Sequence, residues 1–201
     1  MDAAPLAAPP AAALLPASGL VAADLADPDS AELLSILIAP NPVLKARCRP
    51  VEAANTEQVR ALLPRMFASM YRAPGIGLAA PQVGVLLRLC IVDLMAQNKR
   101  TPIVLINPEV VAESDDQASR EEGCLSLPGQ YAQVVRPARV KVRFTDEAGA
   151  RRELEGEGLL SACLQHEIDH LDGVLFVDHV SVLKRNILMR RLAKDQRQKG
   201  R

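Results

Sequence analysis

The stretch 164-LQHEIDHLDGVLF-176 decides how this chain is read. It carries two of the three histidines in the sequence, His166 and His170, four residues apart. Residues at i and i+4 lie on one face of a helix, so both imidazoles can grip a single ion. Glu167 follows the first histidine, about 100° further round at 3.6 residues per turn, at the edge of the same face. Leu159 and Cys163 fall on the histidine side. Leu160, Leu164, Ile168 and Leu171 form a neighbouring apolar stripe, and Ser161, Gln165, Asp169 and Asp172 take the remainder. Such a helix is buried over most of its surface, with its histidines in the buried part. Two hydrogen-bonded core histidines are the plain alternative; the HExxH spacing on an apolar helix favours a metal.

Two imidazoles leave the set one ligand short, because a catalytic site of the zinc type uses three protein ligands and keeps a position open. The longer form HExxHxxGxxH supplies a third histidine. Here Gly173 is in place, but Phe176 stands where that histidine is needed. Other zinc proteases use a glutamate beyond the helix, and no glutamate follows Glu167. Asp172, Asp178, His179 and Asp195 remain downstream, none at a recognised spacing. Upstream, 122-EGCLSLPG-129 sets Cys124 between a glycine and a Ser-Leu-Pro run, the composition of a tight, defined loop. A thiolate is a strong ligand for zinc and for ferrous iron, and a Cys-His-His set leaves a fourth position for water. Read by itself, Cys124 is a buried thiol; the helix's need for a partner is what raises it.

A second stretch, 75-GIGLAA-80, imitates the glycine fingerprint of dinucleotide-binding proteins, with Asp93 at the end of an apparent strand as the ribose acid. The imitation fails on context. A helical pattern precedes it where a strand is required, Pro74 precedes the first glycine, and Pro81 and Gly84 leave little room for the phosphate-binding helix. Glycines that let a peptide backbone approach a strand edge are the better reading. Gln82 then lies just beyond a wall of small residues, either as a surface side chain or as a polar group of the site.

In order along the chain, 75-GIGLAAPQ-82, 122-EGCLS-126 and 166-HEIDH-170 resemble the three motifs GxGxAAxQ, EGCxS and HExxH of the bacterial-type peptide deformylases. The resemblance extends over about residues 33–190. It implies that Cys124, His166 and His170 bind one divalent metal ion, Fe(2+) first, with Zn(2+), Ni(2+) or Co(2+) as substitutes. It implies Glu167 as general acid/base, and Gln82 with the backbone N–H of Leu125 as holders of the formyl oxygen. Gly75, Ile76 and Gly77 would line the peptide channel, with Ile76 and Cys163 as walls of the methionine pocket. The implied activity is hydrolysis of the N-formyl group from the formyl-methionine of newly made polypeptides. The implied fold is α+β, with antiparallel strands wrapped around the central HExxH helix and a C-terminal helix outside. A metalloendopeptidase of unusual ligand set and a non-catalytic metal protein are the rival readings, and neither explains GIGLAAPQ.

Composition agrees with one domain. The chain has 201 residues, 49% of them apolar, but only 2% aromatic, so its core is aliphatic. A formal net charge of zero argues against wholesale nucleic-acid binding. The four cysteines form no CxxC pair, which points to reduced thiols in a cytoplasm rather than a secreted disulfide framework. No apolar run reaches the length of a membrane span. Residues 1–32 carry five acids and no Lys or Arg, unlike secretory or mitochondrial leaders, and read as a flexible Ala/Pro-rich extension. The catalytic domain is then 33–201.

Within it, Val59, Leu62, Leu63, Met66 and Met70 recur at helical spacing over 55–71, with Asn55 as cap and Pro64 as a source of a kink. Strands are expected at 86–94, at 101–114 with NPE as a turn, at 131–136, and on both sides of the hairpin tip 146–149. A last helix over 180–198 carries Leu183, Ile187, Leu188 and Leu192 on one stripe. Its basic end, with eight Lys or Arg and one acid from Lys184 on, is either a solvated face or a dock for the ribosome.

Overall fold

A computed structural model describes residues 31–199. Most of the proposed N-terminal extension, 1–30, and the last two residues lie outside the described residues. Helix α1 spans Thr56–Arg72, α2 Leu159–Leu171 and α3 Val182–Lys199. Seven strands accompany them: β1 Gly77–Ala79, β2 Leu89–Val92, β3 Ile103–Glu113, β4 Gln117–Gly123, β5 Tyr131–Pro137, β6 Arg139–Thr145 and β7 Arg151–Glu157. Five form one antiparallel sheet in the order β1-β2-β3-β6-β7, and β4 pairs with β5 as a separate hairpin. The architecture is α+β, as expected.

The sheet is covered on both faces, and the alternation of β2 shows how. Leu89 and Ile91 join Leu78 and Val104 against Leu63, Met66 and Phe67 of α1. Cys90 and Val92 point the other way, joining Ala79 and Leu105 against Cys163, Leu164 and Ile168 of α2. Successive strand side chains alternate between faces, so a strand buried on both sides reads as an unbroken apolar run, here LCIV. Helix α2 touches strands of both sheets, β5 as well as β1, β2, β3, β6 and β7, which makes it the central helix of the molecule. A third apolar group binds the loop after β4 to the C-terminal region through Leu127, Phe176, Leu188 and Leu192.

Four local expectations change. Asn55 holds the N-cap position of α1 but makes no side-chain capping bond; its side-chain oxygen accepts from the Glu52 N–H in the preceding turn, at 3.1 Å. The segment NPE is not a turn but a bulge inside β3, where the register shifts between Ile106 and Glu109. Asn107 takes a positive φ of 52° there, and its side chain bonds both the N–H and the carbonyl of Val51 at 2.8 and 2.9 Å. The strands β1 and β4 were not foreseen: β1 has three residues, and β4 is mostly polar and exposed. On α3, Leu188 and Leu192 are buried, whereas Leu183 and Ile187 face outward at 72% and 41% exposure. The helix meets the rest of the fold beside Phe176–Asp178, where Arg185 pairs with Asp178 at 3.3 Å, while the apolar side chains of its first turns face outward.

Candidate metal centre and active site

Helix α2 presents His166, Glu167 and His170 within the protein, all three buried. The hairpin β4–β5 brings the loop that follows β4 over this helix. As a result Cys124, His166 and His170 offer ligand atoms that all lie within 4.8 Å of one another. The Cys124 Sγ is 3.2 Å from the His170 Nε2. Burial disfavours ionisation of the thiol, but the two imidazoles outweigh it and hold the Cys124 pKa well below its ordinary value. A thiolate with two imidazoles in a closed cluster suits a divalent transition-metal ion.

The ligands are oriented from behind. Glu122 Oε2 sits 2.9 Å from His166 Nδ1, which leaves Nε2 of that ring for the cluster. The same carboxylate is gripped by Arg136 through two bonds of 2.6 and 3.0 Å. Arg136 also reaches Asp169 at 2.8 Å, and Asp169 lies 2.7 Å from His179 Nε2. Burial pushes the Glu122 carboxyl up, but His166 and Arg136 outweigh it and bring it down to about 2. Glu122 is therefore a fixed anion beneath the first histidine. In the sequence Glu122 stands in the EGCLS motif with no role of its own, and nothing marks Arg136, whose partners come from other elements.

Glu167 lies on the cleft side of α2. Burial lifts its pKa to about 7, with His166 and His170 opposing and Cys124 and Glu122 adding to the rise. Its Oε2 has no hydrogen-bond partner among the described residues. Gly77 makes room for it: a Cβ there would lie 2.8 Å from the Glu167 Cδ and 2.9 Å from its Cγ. The need for glycine at this point of the motif is thus steric and local.

Gln82 is buried and its amide is held at both ends. Its oxygen accepts from the Ala79 N–H at 2.8 Å. Its Nε2 is aimed at the cluster, 3.4 Å from Cys124 Sγ and 3.2 Å from Ser126 Oγ. Leu125 follows the cysteine directly, and its N–H makes no backbone hydrogen bond among the described residues. A cleft of about 790 Å³ runs over these groups, lined by Gly75, Ile76, Gly77, Gln82, Cys124, Leu125, Cys163, His166 and Glu167. The Cys163 Sγ lies 3.7 Å from the carbonyl of Ile76, which joins α2 to the segment before β1. All ten residues singled out from sequence therefore meet in one place, nine along the cleft and His170 beneath it.

Proteins of known identity are similar to this chain over most of its length. Residues 33–186 match the family model described as Polypeptide deformylase. The peptide deformylase of Rhizorhabdus wittichii is 52% identical over 168 residues, covering 81% of this chain and 94% of its own. That of Rhizobium meliloti is 47% identical over 166 residues, covering 82% and 95%. Among solved structures, a peptide deformylase from Legionella pneumophila superposes with a TM-score of 0.79 at 46% identity, over 85% of this chain and 99% of that one. One from Ehrlichia chaffeensis, in complex with actinonin, gives 0.79 at 35% identity over 83% and 99%. The chain belongs to the polypeptide deformylase family, the metal-dependent hydrolases that remove the N-formyl group from newly made polypeptides.

Proposed function

We propose that this chain carries out deformylation with Cys124, His166 and His170 as metal ligands, Glu167 as general acid/base, and Gln82 with the Leu125 N–H at the formyl oxygen. The observation that carries the assignment is the convergence of the three ligand atoms within 4.8 Å, beside a buried carboxylate. A divalent ion bound there supplies Lewis-acid chemistry, polarising a carbonyl oxygen and making water a nucleophile at neutral pH. Ferrous iron is our first choice for a thiolate–imidazole set, with Zn(2+), Ni(2+) and Co(2+) suited to the same donors.

The protein's own groups then do three things. Glu167 takes a proton from the attacking water as its oxygen adds to the formyl carbon, and passes one to the amine nitrogen as the C–N bond breaks. Formate and a free N-terminus result. A carboxyl lifted to about 7 accepts and releases a proton with little bias near neutrality. The Gln82 amide and the Leu125 N–H donate to the oxygen on which negative charge develops, and one such donor is typically worth ~10²–10³ in rate. Among the described residues strand β1 pairs only with β2, so its other edge is available to an extended peptide backbone. Ile76 and Cys163 then receive the first side chain.

We place the reaction in the cytoplasm, where formylated chains emerge; the four cysteines are free, in keeping with a reducing compartment. No helix of the described residues is long and apolar enough to cross a membrane. The catalytic domain in this reading is 33–201, and α3 is its contact with the ribosome.

Glu167→Gln tests the central role. The variant should retain bound metal and lose about 10²–10⁴ in kcat, the range of a general acid/base. A metal-loaded variant turning over at the native rate would remove Glu167 from the chemistry.

A further inference from the structure

Arg120 is exposed on β4 and lines the cleft. With Ala118 and Glu122 it occupies the side of the strand that faces α2. No other Lys or Arg among the described residues lines that cleft. Arg136, on the neighbouring strand, is held by Glu122 and Asp169, whereas Arg120 has no carboxylate within ion-pair distance among the described residues. Its guanidinium instead rests at the start of α2, with one nitrogen 3.3 Å from where a Cβ on Gly158 would lie. Gly158 offers no side chain to engage it. Of the acids that line the cleft, Glu122 is bound by Arg136 and His166, Glu167 belongs to the reaction centre, and Glu121 projects from the other face of β4 and makes no ion pair with Arg120.

We propose that Arg120 reads the substrate beyond its first residue and favours formylated chains with an acidic third side chain. The assignment rests on the deformylase reading above, in which the first side chain enters beside Cys163. In an extended peptide the first and third side chains project to the same side, roughly 7 Å apart. Along α2, Leu159 lies four residues from Cys163, about 6 Å at 1.5 Å per residue. Both line the cleft, and Arg120 stands at the Leu159 end. The third side chain therefore arrives where the free guanidinium is, and a carboxylate there gains a partner that an ammonium would be repelled by.

The test is kcat/KM for formate release from formyl-Met-Ala-Glu, formyl-Met-Ala-Gln and formyl-Met-Ala-Lys, each amidated at the C-terminus. The native enzyme should prefer Glu over Lys by roughly five- to tenfold, the size of one attraction set against one repulsion at a half-open site. Arg120→Gln should bring that ratio close to one, and Arg120→Glu should invert it. Moderate salt should shrink the native preference. Equal rates on the three peptides, or a ratio unchanged in Arg120→Gln, would overturn the assignment while leaving deformylation intact. No formate from any of them would overturn the deformylase reading, and this assignment with it.

Discussion

At the scale of single residues, the site works through close fits that one atom can undo. Gly77 is the clearest. Its backbone passes so near Glu167 that an added methyl would press on the carboxylate and its neighbouring carbons. Gly77→Ala should still fold, because strand β1 is short and the change is one carbon, but Glu167 must move aside. Misplacement of a reacting group by about 1 Å costs on the order of 10² in rate. We therefore expect an unchanged far-ultraviolet spectrum with kcat lowered about 10- to 100-fold, measured at saturating formyl peptide. A native kcat would show that Gly77 does not set the position of Glu167. The motif residues were legible because they stand at fixed spacings in three short motifs. Glu122 and Arg136 were not, since their roles depend on a hairpin that brings β4 and β5 under His166. His170 and Cys124, 46 positions apart, were joined only by ligand arithmetic and resemblance, and the fold brings their atoms to 3.2 Å.

At the scale of elements, legibility followed burial. Helix α2 has an apolar stripe and buries it against the five-stranded sheet, so its pattern and its place agree. Strand β4 reads poorly because most of its residues are exposed and polar, and its stability comes from pairing with β5 along seven positions. The bulge at Asn107 reads as a turn because Asn-Pro is turn chemistry, here used to shift register without ending the strand. Helix α3 departs from its stripe for a further reason: only its later turns pack on Phe176 and Val177. Val182, Leu183 and Ile187 stay exposed beside Lys184 and Arg185. An apolar and basic surface of that kind suits a ribosomal contact in our reading. Removing residues 184–201 should weaken co-sedimentation with ribosomes several-fold at low salt, with the loss shrinking as salt rises. Truncated protein that is folded and sediments undiminished would leave α3 as a structural brace.

At the scale of the whole molecule, the sheet is the partition that makes the site possible. One face closes on α1, and the other on α2, so the metal helix is packed from one side while its ligand face opens toward the cleft. The loop that carries Cys124 and Leu125 is anchored separately, by Leu127 against the C-terminal apolar group. Three parts distant in sequence are thus held rigidly around one point, which is what positioning for hydrolysis demands. The aliphatic composition suffices for this: the buried core includes only three aromatic side chains, Phe67, Phe144 and Phe176. The central claim is that this centre removes a formyl cap. Protein purified without oxygen should be given a formyl-Met tripeptide, and formate and free amine should be measured together. The account predicts equal amounts of both, with no cleavage of the peptide's internal bonds and loss of activity on chelation. Cleavage of internal bonds, or no formate from metal-loaded protein, would contradict it.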